Sequence, residues 1–300
     1  MAVDDALWFG VSRKGHKLAY TKGGERNIIW KCSMPEREGQ VAPAQKLITS
    51  NQSQWLGRFS PDGQKIAFTS FLSGKSNVWI CDSDGSNPIQ PLDFGEFQSG
   101  APCWSPDNLQ IAFDSDQYGQ RDIFIMDANG GHVRRMTTDA AEDQIPSWSR
   151  DGRWIYFTSN RRRKPEIWKV PAAGGDAVLV WPEEGWGNIE SPDGQWLYFS
   201  AWGKVWRLSL ENRRKELVVD GNWSFTWFPV ADGIYYTKES ADKNGSILYF
   251  HDYKSNSIKT VAILQQKEIR CLDFSPDRKT FLVHHGEISD YDIYVVENYR

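Results

Sequence analysis

The sequence holds few of the residues that announce chemistry. Four cysteines, Cys32, Cys81, Cys103 and Cys271, are spread over 300 residues. None forms a CxxC pair and none stands at zinc spacing from a histidine, which excludes a disulfide scaffold and a zinc module and leaves small core residues. A GxSxG nucleophile elbow, an HExxH pair and a GxxxxGK[ST] phosphate loop are all missing. No apolar run approaches the ~18 residues of a membrane-crossing helix, and apolar positions nowhere recur at helical spacing. The opening residues MAVDDALWFG have no basic region, apolar stretch or cleavage site of a signal peptide. If the protein is exported, its targeting segment lies outside this chain. The formal charge is −4, so nothing draws the chain as a whole towards nucleic acid.

What is abundant is tryptophan, fifteen residues of it, and repetition. The stretch FSPDGQKIAFTS (59–70) recurs as WSPDNLQIAFDS (104–115), WSRDGRWIYFTS (148–159), ESPDGQWLYFSA (190–201) and FSPDRKTFLVHH (274–285). A weaker copy, VSRKGHKLAYTK (11–22), opens the chain, and a shortened one, VADGIYYTK, occupies 230–238. The seven copies fall 39–48 residues apart. Each is followed by an aromatic-rich run such as NVWICD (77–82) or EIWKVP (166–171), then in several units a turn such as DSDG or PAAGG, and in most a fourth run.

In Ser-Pro-Asp-Gly, proline presets the first turn dihedral, serine bonds its own backbone and glycine takes the left-handed conformation. Asn108 tolerates that conformation; Arg278 is either strained there or marks a different turn. Each unit therefore reads as four short antiparallel strands. The runs IAF, IYF and LYF are apolar without alternation, as in sheets buried on both faces. Four-stranded units of about 40–45 residues packed face to face make a β-propeller, whose wedge-shaped gaps the tryptophans fill. The expected fold is all-β: one domain over 1–300 with seven blades, at about 1–50, 51–94, 95–139, 140–182, 183–221, 222–266 and 267–300. The last unit ends at its third run, and only Met1 to Asp5 precede the first inner strand. The last blade is therefore expected to lack its fourth strand, and the native chain to continue upstream.

The pattern W/F-S-P-D-G-x-x-I-A-F followed by D-I-Y-x-x-D-x-x-G-G resembles the PD40 repeats of TolB-like β-propellers over essentially the whole chain. PSWSRDGRWIYFTSNR (146–161), IESPDGQWLYFS (189–200) and DIYVVENYR most resemble the C-terminal propeller of bacterial winged-helix regulators. The resemblance implies a non-enzymatic scaffold that binds a protein or a small ligand, as the sensory part of such a regulator, with an extracytoplasmic location. No cofactor, metal, nucleic-acid or membrane contact is expected of this chain. Two other readings stay open: a hydrolase or lyase with a metal at the channel, and an excised or engineered repeat scaffold without activity.

The resemblance places recognition at the channel mouth where inner strands begin and the loops between second and third strands cluster. There the sequence offers Gln54, Trp55, Asp143, Gln144, Trp186, Asn188 and Arg270 from strand starts, and Tyr118, Arg161, Arg162 and Trp202 from loops. Aromatics beside arginines suit a recognition surface; packing between blades is the competing use of Trp55, Trp186 and Trp202. Asp114 to Asp122 begins like a calcium loop, but Tyr118 and Ile125 stand where oxygen ligands belong. His284 and His285, adjacent on a strand, cannot both face one site.

Overall fold

A computed structural model describes residues 6–11, 17–22, 25–50, 52–221, 225–288 and 292–296. Its strands form six blades around a central axis. Blade I holds β6 (Gln54–Phe59), β7 (Lys65–Ser70) and β8 (Asn77–Asp82), with an Ile80–Ile89 bridge in place of a fourth strand. Blade II holds β9 (Ser99–Trp104), β10 (Gln110–Ser115), β11 (Asp122–Asp127) and β12 (Arg134–Arg135). Blade III holds β13 (Asp143–Trp148), β14 (Trp154–Ser159), β15 (Glu166–Pro171) and β16 (Val178–Trp181). Blade IV holds β17 (Trp186–Glu190), β18 (Trp196–Ala201), β19 (Lys204–Ser209) and β20 (Lys215–Asp220). Blade V holds β21 (Trp227–Val230), β22 (Gly233–Glu239), β23 (Ser246–Asp252) and β24 (Ser257–Leu264), with β4 (Gln40–Val41) added in parallel at its outer edge. Blade VI joins both ends of the chain: β25 (Cys271–Phe274) and β26 (Thr280–Ile288) with β3 (Glu25–Ser33) and β5 (Ala44–Lys46).

The expected seven blades are thus six, and the last blade is complete. The first and last repeat copies do not build a blade each. β3 lies beside β26 along nine residue pairs, from Ser33–Thr280 to Glu25–Ile288, and β5 adds the fourth strand. What remains of those two copies, β1 (Ala6–Val11), β2 (Leu18–Lys22) and β27 (Asp292–Val296), forms a separate three-stranded sheet. Burial accounts for the merger. The β3–β26 ladder sends Cys32, Phe281 and Val283 against blade V and Ile29 and Leu282 against blade I. One shared blade therefore covers two neighbours.

Six apolar clusters fill the six gaps between blades. Ile66 and Phe68 meet Ile29 and Leu282; Val78 and Ile80 meet Trp104, Ile111 and Phe113; Ile123 and Ile125 meet Trp148, Ile155 and Phe157. Ile167 meets Leu197 and Phe199, Val205 meets Trp227 and Ile234, and Leu248 meets Leu272, Phe281 and Val283. The non-alternating runs of the second strands are buried on both faces for this reason.

The repeated Ser-x-Asp turns share one bonding scheme. In blade II, Ser105 Oγ donates to Asp107 Oδ1 at 2.6 Å and accepts the Gln110 N–H at 2.8 Å, while Asp107 Oδ1 accepts the Leu109 N–H at 3.0 Å. The serine hydroxyl holds the carboxyls of Asp62, Asp107 and Asp151 below the usual range, Asp151 at about 2. Arg278 keeps the turn geometry at φ 57°, so the strain of a left-handed non-glycine residue, ~1–2 kcal/mol, is present there. Ser105→Ala is expected to cost about 1 kcal/mol, read as a lower urea midpoint with an unchanged slope.

Candidate functional site

The inner strands β6, β9, β13, β17, β21 and β25 surround a cavity of about 490 Å³. It opens on the face that carries the Ser-x-Asp turns. Pro61, Pro106, Pro192 and Pro276 ring that mouth, with Arg150 and Ala231 in the two remaining places. Neighbouring turns touch: a Cβ on Gly63 would come within 3.1 Å of the Pro276 ring. Glycine suits that place both by this approach and by its φ of +72°, whereas Arg278 bears the strain at the equivalent position.

Four of the six inner strands are bulged. Their registers shift, and Leu56, Ala101, Ile145 and Gly187 take φ of 47°, 49°, 55° and 61°. β21 and β25 pair without a shift. A left-handed β-branched residue such as Ile145 is costly and is held by its surroundings. The freed N–H groups find side chains on the preceding blade: Ala101 donates to Thr69 Oγ1 at 2.9 Å and Ile145 to Asp114 Oδ2 at 3.0 Å. Gly187 has no room for a side chain, because a Cβ would overlap the Phe225 ring.

Two polar groupings interrupt the apolar wall, and they face each other across the axis. Between β13 and β17, Ser147 Oγ donates to Asn188 Oδ1 at 2.9 Å. Asn188 is 1% exposed, and its Nδ2 has no hydrogen-bond partner among the described residues. Beside it, buried Glu190 accepts the Tyr156 hydroxyl at 2.7 Å and the Arg150 N–H at 2.7 Å. A proline at 150, as in the other full turns, could not make that second bond. Burial, reinforced by Glu190, pushes the Tyr156 phenol well up. Between β6 and β25, Arg58 donates to Asp273 Oδ1 at 3.1 Å, and Asp273 Oδ2 accepts the Phe59 N–H at 2.8 Å. Burial outweighs Arg58 and raises the Asp273 carboxyl to about 6.

The residues picked from sequence lie mostly at the opposite mouth. Gln54 is fully buried and donates to the Ile48 carbonyl at 3.3 Å; Asp143 is fully buried and accepts Arg161 Nη2 at 2.7 Å. Burial pushes the Asp143 carboxyl up. Gln144 is half-buried and reaches Glu142 at 3.3 Å. Trp55 packs edge-on against His284, which shares the Asn27 Oδ1 acceptor with Arg270; burial lowers His284 to about 3. Trp186 is half-buried. Tyr118, Arg162 and Trp202 are exposed on the loops of three successive blades, Tyr118 under Arg135 and Arg162 near Glu166. So Asp143 and Arg161 are brought together, as are Trp55 and Arg270 around His284. Of the whole set only Asn188 lines the cavity.

Asp114 of the calcium-like stretch is taken up by Arg121 and the Ile145 N–H, and Asp116 by the Gln98 N–H at 2.7 Å. Among the described residues no three His, Cys, Asp or Glu side chains converge to hold a metal ion. The lining residues missed in the sequence are Arg58, Ser147, Arg150, Glu190 and Asp273. Two of them carried a signal, since WSRDG and ESPDG break the repeat at Arg150 and Glu190.

A profile described as the TolB beta propeller domain (PD40) matches residues 16–243. The Tol-Pal system protein TolB of Bordetella pertussis is 36% identical over 161 residues, covering 54% of this chain and 36% of that protein. The chain thus matches about a third of the length of such relatives. Among solved structures, TolB from Acinetobacter baumannii superposes with a TM-score of 0.61 at 19% identity, over 89% of this chain and 66% of that one. An oligogalacturonate lyase in complex with manganese superposes with a TM-score of 0.58 at 13% identity, over 92% and 83%. At these identities the superpositions speak for the fold alone.

Proposed function

We propose, from the premise that this chain belongs to the TolB β-propeller (PD40) family, that it is a non-enzymatic protein-binding module. Its docking site is the mouth of the central cavity on the turn face. The observation that carries this reading is the cavity itself: it has the size and largely apolar lining of a ligand site, with a few convergent polar groups, and behind its wall lies a buried amide donor, Asn188 Nδ2, without a partner among the described residues. The named relatives are components of a Tol-Pal system, which fits a protein partner. In a longer chain such as a winged-helix regulator, the module would serve as the sensing half.

The test is a selection of phage-displayed random peptides on the immobilised chain. Ala231 stands exposed in the rim, and Ala231→Trp narrows the mouth without touching the interblade core. Selected peptides are expected to bind this variant about tenfold or more weakly. Equal binding to both proteins would refute the mouth as the docking site.

A further inference from the structure

Where β13 meets β17, the ring departs from its own repeat at three places at once. Counting back from the turn serine, Asn188 stands where other inner strands hold Gly57, Pro102, Pro146 and Leu272. Glu190 stands where they hold Phe59, Trp104, Trp148 and Phe274, and Arg150 stands where full turns hold proline. Glu190 answers the Tyr156 hydroxyl and the Arg150 N–H, groups that blades I and II do not present, whereas nothing in the packing uses the Asn188 Nδ2. Asn188 and Glu190 are two apart on one strand and both line the cavity. One holds an N–H donor that has no partner among the described residues and is closed off from solvent, so the partner must turn the Asn188 side chain to reach it. The other is a carboxylate whose oxygens each accept one bond and retain capacity for another.

A donor beside an acceptor in a buried corner is the complement of an amide. We propose that this corner receives a backbone amide of the partner, Asn188 Nδ2 donating to its carbonyl oxygen and Glu190 accepting its N–H. The flanking walls, Phe228 and Phe274 on one side and Trp104 on the other, take the apolar side chains next to that amide. A carboxylate in the same place is disfavoured by the charge of Glu190. Glu190 is buried and only weakly screened, whereas the Arg150 guanidinium is exposed and well screened. Lys169 sits behind Tyr156, one strand further from the axis. This inference rests on the reading of the cavity as the docking site and adds what the site selects.

The probes are 3-phenylpropanoic acid, its methyl ester and its N-methylamide, which share the phenyl group and differ only at the group in question. Binding is followed through the side-chain amide resonance of Asn188 in the ¹⁵N-labelled chain, assigned by its loss in Asn188→Asp. The N-methylamide is expected to move that resonance and to bind roughly tenfold more tightly than the ester, which has no N–H, and than the acid. Asn188→Asp exchanges the donor for an acceptor and should weaken the N-methylamide about tenfold or more. Glu190→Gln should narrow the gap between N-methylamide and acid, and it reads the same preference should the Asn188 variant fail to fold. Equal binding of the three probes, or no movement of the Asn188 resonance with any of them, would overturn the proposal. If the probes bind alike while Ala231→Trp still abolishes peptide binding, the docking site stands and the amide preference falls.

Discussion

Above about pH 6, where its carboxyl is charged, Asp273→Ala is expected to destabilise the protein by about 3–5 kcal/mol, because it strands Arg58 as a mostly buried charge with no counter-ion. Both partners line the cavity wall, and Asp273 also holds the Phe59 N–H of the neighbouring blade, so the pair ties blade VI to blade I. Asp273→Asn keeps an acceptor for that N–H and loses only the charge, so it should cost less. The two variants also differ from wild type in pH dependence. The folded carboxyl titrates at about 6 and the unfolded one at 3.8. Between those values the folded state retains a proton that the unfolded chain has released. The contribution of Asp273 is therefore greatest below about pH 4 and is lost as pH rises to about 6. The turn carboxyls act in the opposite sense: Asp151, held at about 2, contributes above about pH 4 and loses that contribution as pH falls. Urea denaturation at a series of pH values reads the sum. In Asp273→Asn the fall between pH 4 and 6 should disappear while the acid limb remains; an unchanged profile would mean that Asp273 does not titrate there.

The parts of the fold that were legible in the sequence are those that repeat. A turn needs its Ser-x-Asp-Gly at fixed offsets, and a strand buried on both faces needs an unbroken apolar run, so IAF, IYF and LYF declare blade membership without reference to anything distant. Blade number is a property of closure, which depends on which distant strands meet. Nothing local to DIYVV shows that β26 pairs with β3, over 240 residues away in sequence, and that β27 is left to β2. Site residues were harder still. Gln54 and Asp143 are polar at strand starts because they bond the loops beside them, Asp143 through Arg161, so polarity there marks architecture. The cavity polar groups were visible only as breaks in the repeat at Arg150 and Glu190. Asn188 was singled out, but as part of the opposite mouth, because the depth at which a side chain meets the axis depends on the bulges, which Leu56, Ala101 and Ile145 do not announce and only Gly187 hints at.

Ile29→Pro is expected to open the ring. β3 is an interior strand of blade VI, bonded to β26 on one side and β5 on the other, and it is the N-terminal element that closes the circle between blades V and I. Ile29 sits mid-ladder opposite His284, and its carbonyl accepts the Leu47 N–H at 2.9 Å. Proline there fixes φ in the middle of an interior strand, drives its ring into the side that faces Leu47, and empties the place of a side chain that packs against Leu282, Ile66 and Phe68. A cost of about 3 kcal/mol or more follows, against about 1 kcal/mol for Ile29→Val, which trims one methylene and leaves the backbone bonds intact. The form of unfolding should change with its midpoint. In the closed ring every blade is held on both sides, so loss of one exposes its neighbours and the transition is cooperative. In Ile29→Pro blades I and V each keep a single packed neighbour, and hydrogen exchange should show them opening before blades II to IV. The cavity is lined from all six inner strands, so the opened ring should also lose peptide binding at temperatures where blades II to IV remain protected. If Ile29→Pro unfolds in one step at the wild-type midpoint, with β3 amides still protected, the ring is not held shut by the β3–β26 ladder.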